Sequence, residues 1–90
     1  MSFKTEENRF YQENEKHELI AEITFTEEDN DCLIINHTFV NPTYRGQQLG
    51  QQLIKLVVEK ARNEGKKIVP LCSFAKHEFT KNNDYQDLLK

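Results

Sequence analysis

Three sets of residues in this chain have types and spacings that can do chemistry. The first is the stretch Val40-Asn41-Pro42-Thr43-Tyr44-Arg45-Gly46-Gln47-Gln48-Leu49-Gly50. A β-branched and aromatic segment leads into a Pro-started, Gly-punctuated loop whose last residues open an amphipathic helix. The first backbone N–H groups of a helix lack intrahelical partners, and the helix dipole is positive at the same end, so both point at one spot that suits an anion, typically a diphosphate. The second set is Cys32 and Cys72, the two cysteines of the chain. They are too few for a disulfide framework and lack metal-ligand spacing, which predicts two free thiols in a reducing compartment and no metal site. The third is His37, which alternates with Leu33, Ile35 and Phe39. That pattern favours a buried, hydrogen-bonded histidine over a general base.

Composition narrows the functions open to these residues. Ninety residues suffice for one domain, and a domain of this size buries roughly 60 to 65% of its unfolded-chain surface, leaving no room for a deep enclosed chamber. A net charge of −3 and the lack of a basic run argue against nucleic-acid binding. No apolar run approaches the ~18 residues of a membrane span, and the N-terminal residues do not read as a secretory signal. The expectation is a soluble, cytoplasmic protein without a membrane partner.

The elements that must position these residues fall in a simple order. Arg9 to Gln12 reads as a short strand, and Leu19 to Phe25 as a strand with Leu19, Ala21, Ile23 and Phe25 on one face. The run Glu27 to Asp31 is a polar turn. Cys32 to Val40 follows as a strand apolar enough on both faces to lie inside the sheet. Leu49, Leu53, Leu56, Val57 and Ala61 form the stripe of a helix that stops at Gly65. Ile68 to Cys72 then reads as a strand parallel to the one before the helix, and Pro70, which cannot donate to a ladder, predicts an edge position or a splay. Ser73 is the expected N-cap of a helix through about Lys81, and Asn82-Asn83-Asp84 interrupts before a short helix from Tyr85 to Leu89. The fold class is α+β, an antiparallel meander followed by a βαβ unit with C-terminal helices.

Taken together, Val40-x-Pro42-x-Tyr44-Arg45-Gly46-x-x-Leu49-Gly50 resembles the acyl-CoA pyrophosphate loop of the GCN5-related N-acetyltransferase (GNAT) superfamily, whose core is Arg/Gln-x-x-Gly-x-Gly/Ala. Arg45, Leu49 and Gly50 match, and Gln48 stands where the middle glycine is expected. His37-Thr38-x-Val40 before the loop, with Val69-Pro70-Leu71-Cys72-Ser73-Phe74 and Tyr85-x-x-Leu88 after it, is similar to small single-domain members of that group. The resemblance implies a minimal GNAT core with acetyl-CoA, or coenzyme A, in a V-shaped opening between the central strand and its parallel neighbour. Thr38, Phe39, Val40, Arg45, Gly46, Gln47, Gln48, Leu49 and Gly50 would bind the cofactor, with Phe39 and Val40 offering backbone groups to the pantetheine amides. The same loop could also be only a tight strand-to-helix turn, but a strand before it and a helix after it favour the phosphate reading.

The resemblance also assigns candidate catalytic roles. Cys72 would sit near the thioester as nucleophile, as acid to the leaving thiolate, or only as a packed thiol. Tyr85 would be the general acid or a core anchor, and His37 a base. The function implied is transfer of an acetyl group to an unidentified amine by direct attack on the thioester. Because the chain lacks most of the helical part that walls the acceptor in larger relatives, that side would be open or completed by a protein partner. A non-catalytic acyl-CoA-binding module and a small interaction domain without cofactor are the alternatives.

Overall fold

The computed structural model describes residues 3–90. Five strands, β1 (Lys4–Glu6), β2 (Arg9–Glu13), β3 (Leu19–Glu28), β4 (Cys32–Val40) and β5 (Lys67–Pro70), form one sheet whose strand order follows the chain. The first three junctions are antiparallel, and β4 pairs with β5 in parallel after the intervening helix α1 (Leu49–Glu64). Helix α2 (Ser73–Lys81) and a 3-10 helix (Asn83–Leu88) follow, and a 3-10 turn (Pro42–Tyr44) sits between β4 and α1. This is the α+β arrangement expected, with one strand added. Lys4, Thr5 and Glu6 of β1 are all exposed, so no apolar alternation announces them, and pairing with β2 alone makes them a strand. Their charges also blunt the outer edge against addition of a further strand.

The core lies on one face of the sheet. Phe10, Ala21, Ile23, Phe25, Leu33, Ile35 and Ile68 pack against Leu49, Leu53, Ile54, Val57, Val58 and Ala61 of α1 and against Ala75 and Phe79 of α2. Helix α1 ends where its sequence says it should: Gly65 adopts φ 67°, and its N–H reaches the carbonyls of Ala61 and Arg62, the left-handed cap that glycine favours. Between β3 and β4, Asp29 and Asn30 take φ of 54° and 59°, a conformation these two residue types tolerate. The turn is therefore tighter than its acidic run suggests, and β3 extends to Glu28.

A bulge in β4 decides what faces the site. Phe25 pairs with Ile35, whereas Thr24 pairs with His37, leaving Asn36 as the extra residue. Beyond it the alternation shifts by one. Thr38 and Val40, opposite Ile23 and Ala21, join Leu33 and Ile35 on the helix-covered face, while His37 and Phe39 turn to the other. His37 is exposed, contrary to the buried position that strict alternation predicts, because a single bulge inverts the facing of every later residue.

Pairing between β4 and β5 stops early. Its last partners are Ile35 and Pro70, followed by one bond from Leu71 N–H to the Ile35 carbonyl at 3.0 Å, while β4 itself runs on to Val40. The missing N–H of Pro70 thus falls where the strands part. The chain is still extended at Cys72 (φ −76°, ψ 149°) and becomes helical at Ser73, so Cys72 rather than Ser73 is the N-cap of α2. Only Asn82 separates α2 from the 3-10 helix; Asn83 and Asp84 belong to that helix instead of interrupting before it.

Candidate active site

The parting of β4 and β5 opens a cleft lined by Thr38, Val40, Arg45, Gln48, Gly50 and Phe74, with a volume of about 330 Å³. Its mouth is the N-terminal end of α1. Gln48 caps the helix in the left-handed region (φ 58°, ψ 32°) without a side-chain capping bond, and Gly46 has φ 90°. Gln52 N–H is the first to bond within the helix, reaching the Gln48 carbonyl at 3.0 Å. The N–H groups of Leu49, Gly50 and Gln51 therefore have no intrahelical acceptor. The first turn carries no acidic residue, no carboxylate lines the cleft, and Arg45 does. The field at this point is positive, as an anion requires.

One wall of the cleft is the free stretch of β4. Asn41 N–H bonds the Ile20 carbonyl on β3 at 2.8 Å, so by the alternation of an antiparallel pair the backbone of Phe39 also faces β3 and that of Thr38 and Val40 faces the gap. Thr38 and Val40 therefore have both side chain and backbone at the cleft. Phe39 does not: its main chain faces β3 and its ring faces the opposite side of the sheet.

The other wall is the start of α2. Cys72 Sγ lies 3.3 Å from Thr38 Oγ1 and accepts from Ala75 N–H at 3.4 Å. Next to it, Phe74 packs on Gly50 so closely that a Cβ there would sit 2.6 Å from the ring Cζ. Gly50 thus serves helix-to-helix approach as well as access to its own N–H. Gly46, Leu49 and Gln51 complete the lining. The glycine near the start of α1 is a sequence signal for such close approach, but it does not name the partner.

The remaining candidates lie apart from this wall. Tyr85 packs on Phe79, ring centroids 5.3 Å apart, and does not line the cleft. Burial first, then the charge of Glu78, pushes its phenol above the ordinary value. His37 projects from the opposite face of β4, two residues past the point where β5 departs. Cys32 is buried at the far end of β4. Among the described residues no cluster of three or more His, Cys, Asp or Glu could hold a metal, and no helix is long and apolar enough to cross a membrane.

Comparison with known proteins gives this arrangement a context. The family described as GCN5-related N-acetyl-transferase matches residues 9–88. The solution structure of a GCN5-like candidate N-acetyltransferase from Staphylococcus aureus is 42% identical, with a TM-score of 0.84 over 99% of this chain and 87% of that one. A GNAT family N-acetyltransferase (YhbS) from Escherichia coli, in complex with CoA, superposes with a TM-score of 0.64 at 20% identity, over 81% of this chain and 44% of that one. Rv2747 from Mycobacterium tuberculosis, in complex with CoA and NLQ, gives 0.63 at 17%, over 79% and 47%. The last two share the fold, and this chain spans about half their length. A search of curated proteins finds no match.

Proposed function

The chain belongs to the GCN5-related N-acetyltransferase family, and from that premise we propose that it binds acetyl-CoA in the β4–β5 cleft and transfers the acetyl group to an amine. The observation that carries this reading is the early end of β4–β5 pairing at Ile35 and Pro70, which joins a bare strand edge to an uncapped helix N-terminus. The N–H groups of Leu49, Gly50 and Gln51, with Arg45, would hold the diphosphate. Hydrogen bonds to a charged acceptor contribute roughly 1.5 to 3 kcal/mol each, so a few of them support micromolar binding without a deep pocket. The backbone of Thr38 and Val40 would pair with the amide-bearing arm as a strand would.

Acetyl-CoA supplies the thioester carbonyl that a neutral amine attacks; the C–N bond forms as the C–S bond breaks. His37, on the open face beside the gap, is the group that would take the proton from the incoming amine. Cys72, tied to Thr38 and to the start of α2, would give a proton to the departing sulfur. Tyr85, packed on Phe79, fits better as a core anchor than as the acid in this scheme. A purely acyl-CoA-binding role is the second reading, favoured by the lack of any carboxylate in the cleft.

Titration with acetyl-CoA tests the first step. Shifts at the amides of Val40 and Gln47 to Gly50, with a melting temperature that climbs with ligand concentration, are expected. Desphospho or pantetheine-only fragments should bind far more weakly. No shift at saturating acetyl-CoA would remove the cofactor from this fold, and binding without turnover on a panel of amines would leave the binding module.

A further inference from the structure

The loop that would meet the diphosphate is held at its two ends by different means. At its far end helix α1 fixes it: Gln52 donates from its backbone N–H to the Gln48 carbonyl at 3.0 Å and from its side chain to the Gln47 carbonyl at 3.1 Å. Arg45 to Gln48 are all exposed, and Gly46 and Gln48 have positive φ, so burial does little to hold this stretch. Its near end, where the chain leaves β4, depends on the segment from Asn41 to Tyr44. There Asn41 uses every polar group it has. Its N–H donates to the Ile20 carbonyl at 2.8 Å and its Nδ2 to the Leu19 carbonyl at 3.1 Å, while its Oδ1 accepts from Thr43 N–H at 3.0 Å and its carbonyl from Tyr44 N–H at 2.9 Å. The next bond forward, from Arg45 N–H to the Pro42 carbonyl, is 3.4 Å long and correspondingly weak.

A second tie comes from the turn between β2 and β3. Asn14 Oδ1 accepts from the N–H groups of Lys16 and Glu18 at 2.9 and 3.0 Å, which fixes the orientation of the amide, because only its oxygen can accept. Its Nδ2 then donates to Glu18 Oε1 at 3.0 Å and to Tyr44 Oη at 3.3 Å. Asn41 and Tyr44 are thus both bonded to the stretch from Asn14 to Ile20, which lines no part of the cleft. Two ties at different residues keep the 3-10 turn from pivoting about either one, and Arg45 follows directly. We propose that Asn14 and Asn41 are positioning residues for the diphosphate: through Tyr44 and Leu19 they fix where Arg45 leaves the sheet, so that the loop loses less conformational entropy when the ligand arrives. This role rests on the acetyl-CoA reading and extends it to a turn outside the cleft.

Two variants cut the ties without emptying the core. Tyr44→Phe keeps the ring and removes the acceptor for Asn14, whereas Asn41→Ser keeps a hydroxyl that can cap the 3-10 turn but is too short to reach the Leu19 carbonyl. Each is titrated with acetyl-CoA, and the backbone order of Arg45 to Gln48 is measured by nuclear spin relaxation in the ligand-free chain. Each variant should bind about threefold more weakly and the pair about tenfold, the loss expected of ordinary neutral hydrogen bonds, with lower order parameters confined to the loop. A role in stability alone would lower the melting temperature and leave loop order and affinity where they were, which would overturn the proposal. So would weaker binding with unchanged loop order. A wild-type chain that ignores acetyl-CoA would remove the cofactor reading and this role together, whereas wild-type binding that either variant retains in full would remove only this role.

Discussion

Thr38 Oγ1 and Cys72 Sγ meet at 3.3 Å although 34 residues separate them in the chain. The contact joins the free end of β4 to the first turn of α2, and Cys72 Sγ also caps that turn through Ala75 N–H. A single sulfur thus holds the two walls of the cleft in relation to each other, whatever it does toward a thioester.

Substitution of Cys72 separates these roles. Cys72→Ala removes the cap and should cost about 1 kcal/mol, whereas Cys72→Ser keeps an oxygen able to cap and to bond Thr38. We expect direct attack by the amine, so both variants should keep acetyl-CoA affinity, and Cys72→Ser should keep turnover within a few-fold. A hydroxylamine-labile acetyl adduct on Cys72 that forms and decays as fast as turnover would establish the covalent route instead.

Gly50→Val should lose both stability and binding, because its side chain would enter the Phe74 ring as well as the phosphate approach. Overpacking of this kind costs about 1 to 3 kcal/mol. The milder Gly50→Ala combined with Phe74→Leu should recover most of the stability lost by Gly50→Ala alone, which a double-mutant cycle of melts will measure. Additive losses would mean that the ring is not what Gly50 accommodates.

Gln48→Gly is expected to be stabilising. A non-glycine residue in the left-handed region, as Gln48 is, costs about 1 to 2 kcal/mol, against roughly 0.5 to 1 kcal/mol of extra chain entropy for glycine. The melting temperature should rise slightly and acetyl-CoA affinity should stay or tighten. A lower melting temperature would show that the Gln48 side chain contributes more than its backbone costs.

Acid should weaken the C-terminal anchor. Arg62, 2.9 Å from Asp87 Oδ2, holds the Asp87 carboxyl below its ordinary 3.8, chiefly through their hydrogen bond. Lys60, then Lys66, hold Glu64 below 4.5. Carboxyls depressed in the folded state stabilise it above the unfolded value, and that share is lost as pH falls through the lower folded values. The pairs are exposed, so the effect is small. Arg62→Met should shrink the drop in melting temperature between neutral and strongly acidic buffer, and an unchanged drop would exclude Asp87 from the acid response.

The parts of this fold readable from residues were those with local causes. The β3 and β4 patterns, the α1 stripe ending at Gly65 and the consequence of Pro70 all follow from spacing within a few residues. What escaped has non-local causes. Nothing in Lys4-Thr5-Glu6 predicts a strand until β2 supplies its partner. The Asn36 bulge cannot be seen in β4 alone, so strict alternation puts His37 on the buried face, whereas the structure exposes it. Of the candidate site, the loop from Arg45 to Gly50 was legible, because strand, glycine and helix sit side by side in sequence. The contacts of Thr38 with Cys72, and of Gly50 with Phe74, require the chain to return on itself.

Strand order that follows chain order also has a kinetic meaning. Strands β1 to β4 can zip together through neighbouring hairpins, each closing a short loop, but β5 must wait until α1 has formed and packed. The cleft is created at that last junction, so the groups that would hold acetyl-CoA come together only after most of the sheet exists. A ligand bound there stabilises contacts absent from an early transition state. In stopped-flow measurements acetyl-CoA should therefore slow unfolding and leave the refolding rate of this chain unchanged.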